Sequence, residues 1–163
     1  PADIGAISLE QVEPRFHARL SCTGKTYVYR IWNSELPNVF ERHYLYHIQE
    51  PLDVAAMRLA AEDLCGTHDF RAFCSLKKFK RSTVRRLEAI TIQELGPELR
   101  LTFTGDGFLY HMVRILVGTL LAVGRGEKSP RDMAVILASQ DRRQGGETVP
   151  ACGLCLEAVH YTR

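Results

Sequence analysis

No stretch of this 163-residue chain is long and apolar enough to suggest a membrane span. The longest apolar run, residues 115–123, is interrupted by Gly118 and Thr119 and is about half the roughly 20 residues a spanning helix needs. No secretory or transit segment opens the sequence, so the expectation is a soluble, intracellular, cytoplasmic protein with no membrane partner. The five cysteines are odd in number and scattered, which fits a reducing compartment better than a disulfide framework. There is one CxxC, Cys152-Gly153-Leu154-Cys155, and no second one to complete a four-ligand zinc site. A thioredoxin-type pair needs a helix N-terminus, whereas Leu156, Ala158 and Val159 continue this one as a strand. His43 and His47 sit four apart in a strand-like stretch with no third ligand. Metal and redox chemistry are therefore set aside, and no metal or organic cofactor is expected. A nucleotide-binding glycine loop is also missing, since Gly105-Asp106-Gly107 is too short for one. Asp106 reads as a structural turn residue.

What is present is ordinary in bulk. Hydrophobic content of 45% and charged content of 25% are ordinary for a soluble globular protein, and the length fits one domain, or part of one, able to bury a sizeable core. A formal net charge of +2 does not by itself call for nucleic acid. Its distribution is more telling: Lys77, Lys78, Lys80, Arg81, Arg85 and Arg86 fall within ten residues that hold no acidic side chain. Such a stripe suits a polyanion, and it equally suits a solvated loop.

The periodicities predict an α+β domain whose antiparallel or mixed sheet carries helices mainly on one face. Residues 1–14 read as a lead-in with a short strand over 4–9. Alternation over 16–32 predicts one long or bent strand, or two, with Lys25, Tyr27, Tyr29 and Ile31 on one face. If that strand is unbroken, His17 and Arg19 share the face and line an RNA-facing groove. Asp53 opens a helix that Gly66 stops. Asp69 to Phe73 forms a turn with two aromatic anchors, and Gly96-Pro97 joins the strands 84–95 and 99–104 as a hairpin. Ser129 and Pro130 cap a helix over 133–139. A polar loop over 141–150 leads to a closing strand over 154–161.

Residues 109–123 have helical spacing and are too apolar for a surface helix, yet they contain Arg114. On a 3.6-residue period Gly107, His111, Arg114 and Gly118 form one narrow stripe. A guanidinium is rarely buried unless something anionic meets it, so the stripe predicts a carboxylate or phosphate facing Arg114, brought close by the two glycines. The alternative is an arginine reaching solvent from the helix edge. Tyr27 likewise has two readings, a core ring or a ring offered to a base.

Several segments together resemble the bacterial tRNA pseudouridine synthase A (TruA) family. These are Phe16-His17-Ala18-Arg19, Lys25-Thr26-Tyr27-Val28-Tyr29, Asp69-Phe70 with Phe73, and Ser82-Thr83-Val84-Arg85. Phe108-Leu109-Tyr110-His111-Met112-Val113-Arg114 with Val117-Gly118, and Ala151-Cys152-Gly153-Leu154-Cys155-Leu156, complete the set. Cys155 stands where that family usually has tyrosine. The resemblance implies a pseudouridine synthase half-domain, with Tyr27 contacting the target uridine and Leu154 lining its pocket. Arg114 is implied as partner of the catalytic aspartate. Contacts to RNA fall to His17, Arg19, Lys25, Lys77, Lys78, Lys80, Arg81, Arg85 and His111. The implied activity is isomerisation of uridine to pseudouridine in the anticodon arm of tRNA, positions 38–40, by a homodimer without cofactor.

The family's glycine-arginine-threonine-aspartate-alanine-glycine motif has no match here, and the sequence has no initial methionine. The chain is thus expected to be a single domain over 1–163, the C-terminal half of such an enzyme. Residues 1–15 would be a lead-in from the N-terminal half, its partner. Alone it is expected to be inactive; the competing reading is a catalytically silent RNA-binding module.

Overall fold

The computed structural model describes residues 1–79 and 81–162; Lys80, one of the six cations of the basic run, lies outside the described residues. The fold is α+β. Strands β1 (Cys22–Asn33), β2 (Tyr46–Ile48), β3 (Gly66–Asp69), β4 (Val84–Leu95), β5 (Glu98–Gly105) and β6 (Leu154–Tyr161) form one sheet in the order β2-β1-β5-β4-β3, with β6 also pairing β1. β2 runs parallel to β1 and the other pairings are antiparallel, so the sheet is mixed.

Alternation along the strands makes one face apolar. Tyr29 and Ile31 of β1 and Leu101 and Phe103 of β5 point to that side and are buried. Helices α1 (Val54–Glu62), α2 (Met112–Gly124) and α3 (Asp132–Ser139) supply the other half of the core through Met57, Ile115, Leu116, Leu120 and Met133. Of the aromatic anchors, Phe70 precedes a 3-10 turn, Arg71–Phe73, and Phe73 ends it; both are buried. The opposite face of the sheet carries Thr26, Thr102 and Thr104 with Arg30 and Arg100, all partly open to solvent.

On that open face Glu98 accepts from Arg30 at two points, 2.8 and 2.9 Å, and from Arg100 at 3.1 Å. The Arg30 hydrogen bond holds its carboxyl below the ordinary glutamate value. A depressed carboxylate pKa stabilises the fold above the ordinary value, and that contribution is lost as pH falls through the lowered one. Glu98→Gln is therefore expected to destabilise the protein by about 1.5–3 kcal/mol in urea at pH 7. The deficit should disappear in acid; a deficit that persists there would mean the loss is steric.

Several expectations are corrected. No strand forms over 4–9, because no partner strand lies there to take its backbone groups, and Ile4, Ile7 and Leu9 are exposed. The strand expected from residue 16 begins at Cys22. His17 closes a turn instead: its Nδ1 accepts from the amides of Arg19 and Leu20 at 3.1 and 3.3 Å, and its own amide donates to Ser21 Oγ at 3.0 Å. The groove of His17, Arg19, Lys25 and Tyr27 on one unbroken strand is thus absent, and only Lys25 shares the Tyr27 face. His43 lies in a turn and His47 in β2, so they are not paired on one strand.

Helix α1 ends before Gly66, which opens β3 at φ +106 instead of capping the helix. The Arg114 helix begins at Met112, with His111 left-handed at φ 61 as its N-cap residue. Ser129 acts one turn ahead of α3, where its amide donates to Asp132 Oδ2 at 2.8 Å and its Oγ accepts from the Arg131 amide at 3.3 Å. The short strand β3 carries too few residues to show an alternation.

Candidate active site

Of the thirteen residues of α2, twelve are buried, and the exception is Arg114. The helix therefore leaves one position open, and Arg114 occupies it at the wall of a pocket of about 200 Å³. Tyr27 from the middle of β1, Phe108, Leu109, His111, Met112 and Val113 from the entry to α2, Ala151 from the turn before β6 and Leu154 at its start line the rest. Drug-sized ligands occupy about 300–1,000 Å³, so this space suits a single small ring. Edge-to-face packing of Phe108 on Tyr27, with centroids 5.1 Å apart, fixes the Tyr27 ring at the wall.

The guanidinium of Arg114 is only partly committed. Its Nε donates to the carbonyl of Val149 at 2.6 Å. Its Nη atoms donate to none of the described residues, and no carboxylate among them lies within 4.0 Å of it. Behind the pocket, Tyr29 is buried and its hydroxyl donates to Pro150 O at 2.7 Å. Burial, then the nearby Cys152 thiol, push that phenol well above its ordinary range, so it stays protonated. His111 is pushed the other way. Burial and the Arg114 charge lower its pKa, which keeps the imidazole neutral near pH 7. Its Nδ1 is 2.8 Å from Ser75 Oγ.

That contact ties the basic run to the pocket. Ser75 precedes Lys77 by two residues and is also bound through its amide to Tyr110 O at 3.3 Å. From there Lys77, Lys78 and Arg81 are exposed. Arg85 is held more closely, donating to Ser82 O at 3.0 Å and Val84 O at 2.6 Å, with its stem beside Gly107. Lys25 stands two residues from Tyr27 on the same face of β1. His17 and Arg19 lie in the turn before the amino-terminal end of β1, where the Tyr161 hydroxyl donates to Ala18 O at 2.7 Å. Asp106 is structural, pairing with the Arg86 amide at 3.0 Å.

One sequence expectation about the glycines is wrong. A Cβ on Gly118 would strike the carbonyl of Glu147, so this glycine admits the 141–150 loop rather than an anion. Val149 and Ser75 were not foreseen as parts of the site. Val149 left a faint signal as the single large aliphatic in a polar loop, whereas nothing around Ser75 marks it.

The arrangement can hold a planar ring between Tyr27 and Leu154 and can receive one carboxylate on the open end of Arg114. Comparison with known proteins gives a match over residues 60–162 to the family model described as tRNA pseudouridine synthase. The tRNA pseudouridine synthase A of Moorella thermoacetica is 46% identical over 161 residues, covering 99% of this chain and 65% of that protein. The tRNA pseudouridine synthase A 2 of Clostridium perfringens is 45% identical over 161 residues, covering 99% and 66%. In Geobacillus kaustophilus the corresponding protein is 43% identical, and 62% of it is covered. The chain spans less than two thirds of the length of each. The family match takes in His111, Arg114 and Leu154 and more than half of the sequence, and so the chain belongs to the tRNA pseudouridine synthase family.

Proposed function

We propose that this chain is the carboxyl-terminal, single-domain portion of a cytoplasmic enzyme that isomerises uridine to pseudouridine in the anticodon arm of tRNA, at positions 38–40. The observation that carries the reading is an arginine among apolar neighbours whose Nη atoms have no carboxylate among the described residues. An aspartate from the preceding portion of the enzyme meets Arg114, which keeps it ionised and oriented by a charge-assisted pair. The aspartate attacks the nucleoside and the glycosidic bond breaks. The uracil turns against Tyr27, with Leu154 closing the pocket to water; its C5 bonds to C1′ of the ribose, the aspartate is released, and the C5 proton is lost while N1 takes one up. The target base leaves its stack to enter, as in other enzymes that act on bases.

The preceding portion has a natural place to dock. β6 pairs β1 on one side and its other edge is unpaired among the described residues, while Leu156 beside Tyr27 is half exposed. Lys25, Lys77, Lys78, Arg81 and Arg85 meet tRNA phosphates near the pocket, and His17 and Arg19 meet them beyond the amino-terminal end of β1. The neutral His111 contributes a hydrogen bond rather than charge. The active enzyme is a homodimer.

The test joins this chain to the amino-terminal third of the Moorella thermoacetica relative and maps pseudouridine in tRNA after reaction. Modification confined to the anticodon arm is expected. Product elsewhere overturns the substrate assignment. Tight tRNA binding without product favours the RNA-binding module.

A further inference from the structure

We propose that the loop over residues 141–150 is a positioning strap for the pocket, in which Arg142 clamps the loop and the Val149 carbonyl aims Arg114; this rests on the function proposed above. The strap lies directly on α2. A Cβ on Gly118 would collide with Glu147 O, and a Cβ on Gly146 would collide with the backbone of Thr119 and Gly118. Between these contacts the buried Thr119 hydroxyl donates to Ile115 O at 2.7 Å and accepts from the Gly146 amide at 2.8 Å.

Arg142 holds the loop from inside. Its Nη1 donates to Gly146 O at 2.9 Å and Gly145 O at 3.4 Å, and its Nη2 to Thr148 Oγ1 at 3.1 Å. It makes no ion pair with the described carboxylates, so a half-buried cation is committed to the carbonyls and hydroxyl of a single loop.

The loop's end is then fixed at two successive carbonyls. Val149, wholly buried, accepts from Arg114 Nε at 2.6 Å, and Pro150 accepts from the Tyr29 hydroxyl at 2.7 Å. A guanidinium can grip a carboxylate side-on through Nε and Nη2 or end-on through both Nη atoms. With Nε occupied by Val149, only the end-on grip remains. The strap thereby sets the direction from which the aspartate is held, without itself touching substrate.

The joined enzyme tests this with Arg142→Gln and the near-isosteric Thr119→Val, each alone and combined with Arg114→Lys. Each strap variant is expected to lower kcat on the order of 10- to 100-fold with KM unchanged, because a small misplacement of a catalytic group is costly in rate. In the Arg114→Lys background neither is expected to lower the rate further, since both act through that arginine. Losses that multiply with Arg114→Lys, or full kcat in both strap variants, overturn the strap. Should Arg142→Gln fail to fold, Thr119→Val decides alone. Wild-type rates for Arg114→Lys by itself would instead sink the underlying reading of the pocket.

Discussion

Arg114→Lys in the joined enzyme loses on the order of 10²- to 10³-fold in kcat, the scale set by removing one preorganised electrostatic donor from an active site. Lysine keeps the positive charge, so the loss isolates geometry from charge. An ammonium at the end of a flexible stem cannot donate to the Val149 carbonyl and present two parallel donors to a carboxylate at once. The substitution falls on the one residue of α2 that is not buried, and the helix packing around it is retained. A thermal unfolding midpoint near that of the parent, together with the rate loss in single-turnover assays, is the expected pair of results. Near-normal turnover would show that no carboxylate depends on this side chain.

A second large effect concerns the chain by itself, which is expected to bind tRNA and give no detectable pseudouridine. The described residues place a ring-sized pocket and a cation at its wall, but no acidic side chain within reach of Arg114 to act as nucleophile. Asp106, a short way before α2, is held by the Arg86 amide. On the proposed phosphate contacts, the chain's affinity for tRNA should fall steeply with salt. Replacing Lys77, Lys78 and Arg81 together by glutamine should make the log–log salt slope shallower by about three. Joining the amino-terminal third of the Moorella thermoacetica relative is expected to restore turnover. Activity from the chain alone would remove the need for an outside aspartate.

Much of the sheet was legible, because β5 alternates cleanly, β1 and β4 alternate over part of their length and Gly96-Pro97 marks the hairpin. The apolar density of 109–123 announced a buried helix with one cation. What failed did so for local reasons. Side-chain to backbone bonds from His17 and Ser21 outcompeted the extended form that alternation suggested, a choice such residues make at turns and strand ends. The four-residue strand β3 exists through pairing with β4 and carries no periodic signal of its own, whereas β2 falls inside the strand-like stretch around His47.

The site was legible where it is built from a periodic element. Tyr27 follows from the strand and Arg114 from the helix, and the structure brings both to the same pocket as Leu154. The role of Gly118 was not legible, since helical periodicity tells which side a residue faces but not what lies opposite. The 141–150 loop packs there through Gly146 and Thr119, a long-range contact that no local pattern encodes.

The most direct measurement is the distance from the Arg114 Nη atoms to the nearest carboxylate oxygens in a crystal structure of the joined protein. Two parallel contacts of about 2.7–2.9 Å to one aspartate from the added portion, with Nε still on Val149, are the expected result. A guanidinium facing open water, with every acidic side chain beyond hydrogen-bond reach, would contradict it.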